Sequence, residues 1–177
     1  MLPLSLHQTL FQIISLNTFS NIWYWFVVGI TWAIASYWIM GVPFDMVLRA
    51  RRQEIAAEQD LDQWVRISAR RIQHLTTVGG VALMGLVSFA LSANAMIAFY
   101  YGSEIAKGVF FLAFPMAIVG IFNIRLAQRF VADQPQGVAL AHTLLRWRFF
   151  VQILGMVSVF ISAMYGMYFN LSLPVRY

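Results

Sequence analysis

The sequence contains no cysteine and a single lysine, Lys107, and only 11% of its 177 residues carry charge. The first absence excludes disulfides, thiolate-held iron–sulfur clusters and cysteine nucleophiles, and it leaves no thiol usage from which to read a redox compartment. The scarcity of charge excludes a soluble globule, because a chain that is 60% hydrophobic has too little polar surface to cover itself in water. Also missing is an ionisable residue at the middle of any apolar run, the usual mark of a proton pump or charge-coupled carrier. No glycine-rich phosphate loop, nucleophile elbow or zinc-ligand spacing occurs, so no enzyme activity is expected. Thr77, Val78, Gly79 and Gly80 share letters with the start of a potassium filter, but no pore helix precedes them.

What the chain does have is long uncharged stretches. From Ile22 to Met40 no residue is charged, and nineteen such residues suffice to cross a bilayer core of about 30 Å. Trp23, Trp25 and Trp38 lie near the ends of that run, where an indole keeps its ring in lipid and its N–H at the wet interface. Three further runs follow, giving expected spans at about 22–40, 76–99, 106–124 and 147–169 in a single membrane domain. Ten of the twelve basic residues fall in the two connections 41–75 and 125–148, against Lys107 and Arg176 elsewhere. By the positive-inside bias those connections are cytoplasmic and both termini are periplasmic. A net charge of +5 therefore reads as topology and anionic lipid contact, with no nucleic-acid partner implied.

Outside the spans, residues 4–16 alternate Leu6, Leu10, Ile13 and Ile14 with His7, Gln8, Gln12 and Ser15, as an interfacial helix would. A cleaved signal peptide competes with that assignment but lacks a basic leading region. Asn17, Thr18 and Ser20 are placed to cap the first span, and Pro43 to end it. In the first connection, Leu61, Trp64, Val65, Ser68 and Ile72 make the apolar face of a helix, capped by Asp60 or Asp62, that is expected to lie along the membrane surface. The acidic cluster Glu54, Glu58, Asp60 and Asp62 is expected to be solvated, with a docking surface for a soluble partner as the sharper alternative.

Two stretches match at an offset of seventy residues: LMGLVSFALSA from Leu83 and ILGMVSVFISA from Ile153. They suggest a tandem duplication, two hairpins related about an axis along the membrane normal. Independently of ancestry, Gly85, Ser88, Ser92 and Ala95 share one helical face, as do Gly155, Ser158, Ser162 and Gly166. Small residues let backbones approach closely in lipid, so these faces are expected to be the helix-packing seams. Asn94, well inside the second span, suits a helix-to-helix hydrogen bond. Phe99, Tyr100, Tyr101, Tyr165, Tyr168 and Phe169 gather at the periplasmic ends, where a girdle or a neighbouring subunit would use them.

The candidate binding residues are the cytoplasmic arginines Arg49, Arg51, Arg52, Arg70, Arg71, Arg125, Arg129, Arg146 and Arg148, whose planar forks suit lipid phosphates and carboxylates. His74 and His142 flank two spans on the same side and invite comparison with haem or metal ligands, but they sit at the rim with no orienting carboxylate assignable. They read as interfacial polar side chains, and no cofactor is expected.

At FSNIWYWFVVGITWAIASYWIMGVPFDMVLRARR, FLAFPMAIVG and GMVSVFISAMYGMYFNLSLP, the chain resembles a family of small membrane proteins of photosynthetic and marine alphaproteobacteria. Members are often labelled as a component of the Suf iron–sulfur assembly complex. The resemblance implies a bacterial inner-membrane setting and a cytoplasmic loop able to dock such machinery, and it brings no catalytic residues. The expected function is a non-catalytic accessory subunit of a larger inner-membrane complex, respiratory or photosynthetic, whose partners are other membrane subunits and anionic phospholipids. The alternative is the small membrane subunit of a transporter, which tripartite periplasmic carboxylate carriers resemble in topology and length.

Overall fold

The computed structural model describes residues 18–52 and 55–172. After a 3-10 turn at Thr18–Ser20 come α1 (Ile22–Tyr37), a hairpin of β1 (Trp38–Ile39) and β2 (Val42–Pro43), and α2 (Phe44–Arg51). Three long helices follow: α3 (Ile55–Ala95), continued by a π-helical turn (Met96–Tyr100), α4 (Glu104–Asp133) and α5 (Gly137–Ser172). The protein is thus all-α in the main, and three stretches, Ala56–Tyr100, Glu104–Asp133 and Gly137–Tyr168, are long and apolar enough to cross a membrane. The fourth apolar helix, α1, has 16 residues, about 24 Å of rise against a bilayer core of about 30 Å. The interfacial helix predicted at 4–16 lies outside the described residues, as do Glu54 and Arg176.

Local chemistry sets these boundaries. The cap of α1 is Asn21, one residue beyond the expected group, whose side chain accepts from the Trp23 amide at 3.0 Å. The helix stops at Tyr37 instead of Met40 because the next six residues form the hairpin, pairing Trp38 with Pro43 and Ile39 with Val42. Its two-residue loop, Met40 and Gly41, has φ of 55° and 78°, the left-handed pair that matches the twist of short antiparallel strands. Met40 holds this unfavourable backbone while buried, and the Trp64 indole donates to the Gly41 carbonyl at 2.9 Å, tying the turn to α3.

Two connections differ from expectation. The predicted surface helix and second span are one unbroken helix, since no proline or glycine interrupts the chain from Ile55 to Val78. Its 41 residues rise roughly 60 Å, about twice a bilayer core. Leu61 and Val65 of the expected membrane-facing side, with Ala69 beside them, are buried against the protein instead. Likewise the stretch 125–148 is no long loop. Helix α4 runs on to Asp133, Gln134 takes a left-handed φ of 43° as its C-cap, and α5 begins at Gly137.

These extensions build the main core. Leu61, Val65 and Ala69 pack with Leu126, Ala127 and Phe130 of α4, Leu140, Ala141 and Leu144 of α5, Val47 and Ala50 of α2, and the hairpin residues Ile39, Met40 and Val42. Four of these leucines are at most 1% exposed, each worth about 1.5–3 kcal/mol where water is the alternative. The apolar windows of the long helices are far less packed, with 6%, 22% and 28% of their residues buried in chain order. Lipid is as apolar as a leucine, so apolar burial there gains little and contact needs another cause.

That cause is one face of α5. Gly155 leaves room for Trp32 of α1, whose ring would lie 2.8 Å from an added Cβ, and Gly166 does the same for Phe19. Between them the Ser158 hydroxyl donates to the Phe111 carbonyl of α4 at 3.0 Å, and Ser162 donates to the Ser158 carbonyl at 2.9 Å. Pro115 explains the first bond. A proline has no N–H for the carbonyl four residues back, which is that of Phe111, so a serine from the neighbouring helix supplies the donor.

Ser158→Ala is expected to cost about 1 kcal/mol, and Pro115→Ala in the same chain to remove that cost, because an amide at 115 then reaches the Phe111 carbonyl within α4. Unfolding in detergent of the two single variants and the double variant measures the coupling; simple additivity would refute it. By the same assay Gly155→Ala should lose about 1–3 kcal/mol through overpacking against Trp32. Gly85→Ala, with nothing within 4 Å of the added carbon, should lose none.

Candidate functional site

The nine predicted arginines all lie on the half of the molecule that holds the main core. Arg49 and Arg51 occupy the last turn of α2, where cations complement the helix dipole, and Arg52 caps it. Arg70 and Arg71 project from α3, Arg125 and Arg129 from α4, and Arg146 from α5; with the α2 group, eight of the nine are exposed. Together they form a belt around the core at the ends of the apolar windows. Arg49 is engaged: its guanidinium lies 3.1 Å from Asp45, which also accepts from the Tyr37 hydroxyl at 3.1 Å. Desolvation, the largest single influence, pushes the Asp45 carboxyl up, but the hydrogen bonds from Tyr37, Arg49 and the backbone and the charge of Arg49 together outweigh it and leave the group below the usual carboxylate range.

Arg148 is the exception. It is only partly exposed, its guanidinium carbon sits 3.2 Å from the centre of the Phe44 ring, and one terminal nitrogen, Nη1, is buried without a hydrogen-bond partner. It lines an open groove of about 1010 Å³ between α1 and α5, together with Trp32, Tyr37 and Gln152. The Trp32 indole nitrogen is likewise buried and unpartnered.

The two small-residue faces end up in different places. Gly155, Ser158, Ser162 and Gly166 are buried against α1, α4 and the 3-10 turn, whereas Gly85, Ser88 and Ser92 are exposed, with nothing within 4 Å of a Cβ added at Gly85. The matched stretches of the suspected duplication thus occupy unlike surroundings, and within this chain only the second is a seam. Asn94 is half-buried with its Oδ1 unpartnered. On the aromatic end, Tyr165 packs with Phe19 and Phe111 and lies under Lys107, while Phe99, Tyr100, Tyr101 and Tyr168 are exposed. The side chain of Phe169 is outside the described set.

The acidic stretch is less solvated than its charge suggests. Asp62 caps no start of α3, which begins at Ile55; its Oδ1 accepts instead from the Gly137 amide at 3.3 Å. Glu58 lies close to the same glycine. Two carboxylates therefore meet the positive end of α5, a placement the helix dipole favours. His74 and His142 are exposed, and among the described residues no three metal-ligating side chains converge. Thr77 to Gly80 lie inside continuous α3, with the Thr77 hydroxyl spent on helical carbonyls. Sequence reasoning passed over Trp32, Phe44, Gln152 and Pro115. Pro115 alone carried a signal, a proline in an uncharged run.

Comparison with family models, curated proteins and solved structures finds no match to this chain.

Replacing Arg51, Arg52, Arg70 and Arg71 by glutamine is expected to loosen the belt from an anionic surface by about 1 kcal/mol per residue, and Arg49→Gln by less because Asp45 holds it. Hydrogen exchange across 44–71 in liposomes checks this: protection should rise with phosphatidylglycerol content in the wild type and stay flat in the variant. His74→Ala and His142→Ala should leave that response unchanged.

Proposed function

We propose that this chain is a non-catalytic accessory subunit of a larger bacterial inner-membrane complex, crossing the membrane four times with both termini periplasmic. Helix α1 makes the first crossing, its short length extended by the 3-10 turn before it and the hairpin after it, with Trp23 and Trp38 at the two interfaces. The distribution of basic residues, ten toward the core end against Lys107 at the other among the described residues, supports a cytoplasmic core and belt.

The observation that carries the subunit reading is the condition of α3. Its apolar window is 6% buried, yet one face of it bears Gly85, Ser88 and Ser92 in the same spacing that α5 uses as a seam. A helix that met only lipid would have no need of small residues there; large apolar side chains serve that role, as at Val81, Leu86 and Phe89. A partner helix laid on that face would approach the backbone closely and receive weak hydrogen bonds from both serines.

Two measurements test it. In a chain without native cysteine, Tyr101→Cys should react with a membrane-impermeant thiol reagent in intact cells and Gln136→Cys should not; labelling at 136 would reverse the orientation. In mild detergent the wild type should bring down other membrane subunits, and Gly85→Leu combined with Ser88→Leu should lose them while the isolated chain keeps its melting temperature. A wild-type chain that purifies wholly alone would end the subunit reading.

A further inference from the structure

The groove between α1 and α5 is apolar along most of its length and polar at one end. Ser36, Tyr37, Arg148 and Gln152 stand at the end nearest the main core, and the rest of the wall is Trp32, Ala33, Met156, Val159, Phe160 and Ala163. Arg148 is fixed there: the Phe44 ring covers one face of its guanidinium and leaves the N–H fork in the plane to find acceptors. Among the described residues none reaches Nη1, which is buried and unpartnered there, and the Trp32 indole N–H on the same wall is in the same condition at 7% exposure. No acidic side chain lines the groove. The carboxylate closest by contact, Asp45, is bonded to Tyr37 and already neutralised by Arg49. A fixed cation with no counter-charge among the described residues, beside a second unused donor and above an apolar channel, suits an anion that carries its own apolar tail.

We propose that this groove binds one anionic phospholipid of the leaflet at the arginine-rich end, with the phosphate on Arg148 and an acyl chain lying along α5 toward Ala163. The dimensions suit it. Fifteen residues separate Arg148 from Ala163, about 22 Å of helix, enough to accompany a chain through its half of a core about 30 Å thick. Arg148 also has the right depth, since Phe44 and Tyr37 place it where α1 leaves its apolar run. The belt arginines attract anionic lipid diffusely because they are exposed; Arg148 holds one molecule because ring and helix fix its fork. The inference rests on the membrane placement proposed above and is independent of any partner subunit.

The test uses the full chain in mild detergent, equilibrated with mixed micelles of phosphatidylglycerol and phosphatidylcholine, with retained lipid counted by native mass spectrometry. The wild type should keep one phosphatidylglycerol per chain with a preference of roughly tenfold over phosphatidylcholine, the size expected of one charge-assisted contact. Arg148→Gln should abolish the preference, and Arg66→Gln, at an exposed arginine of α3 outside both the groove and the belt, should leave it intact. Ala33→Phe narrows the groove without touching charge and should reduce retention of both lipids. No preference in the wild type, or an undiminished one in Arg148→Gln, overturns the proposal; should that variant not fold, full retention in Ala33→Phe does so. Reversed thiol labelling at 101 and 136 would signal failure of the placement, whereas loss of co-purifying subunits would leave this result unaffected.

Discussion

One strip of small side chains on α5 holds the apolar half of the molecule together. Gly155 seats Trp32, Gly166 seats Phe19, and Ser158 satisfies the carbonyl that Pro115 frees in α4. In water these contacts would be minor beside hydrophobic burial. In lipid, apolar contact is nearly neutral, so close approach and a satisfied carbonyl are what remain to bring helices together. The position of α1 depends on this strip, and α1 in turn delivers the hairpin and α2 to the core.

The same helices obey two different rules along their length. Where α3, α4 and α5 extend past their apolar windows, they have polar outer faces and bury leucine, valine and alanine against one another as a soluble bundle does. Where they are apolar all round, they touch sparingly. The change occurs on α3 near Gln73 and His74 without any break in the backbone, so the core end and the apolar stretch belong to one continuous helix. Charge follows the division: the arginines surround the core end, and Asp62 and Glu58 turn inward to the start of α5.

This arrangement leaves three distinct surfaces on the molecule. One is the open face of α3, small-residue and apolar; another is the arginine belt; the third is the groove with its single fixed guanidinium. Under the proposals above they would meet, respectively, a helix, a charged surface and an amphiphile. All three are held in register by the core, which ties α2, α3, α4 and α5 at their polar ends.

The helical class, the apolar runs and the end of the molecule that carries positive charge were legible in the sequence, because each depends on composition and periodicity over many residues. Periodicity also found the apolar face of Leu61 and Val65 but not what covers it, since a face facing lipid and a face facing a neighbouring helix have the same spacing. Nor did local pattern separate the two small-residue strips, which share glycine and both serines at the same spacing, while among the described residues only that of α5 is packed. Where Trp32 and Phe19 land is a property of the whole chain's path. The tertiary structure alone paired Ser158 with a carbonyl 47 residues away, merged two predicted helices into α3, and left Arg148 with a nitrogen unsatisfied. Those outcomes depend on which segments meet in space, and that information is distributed across the chain, not held in any stretch of it.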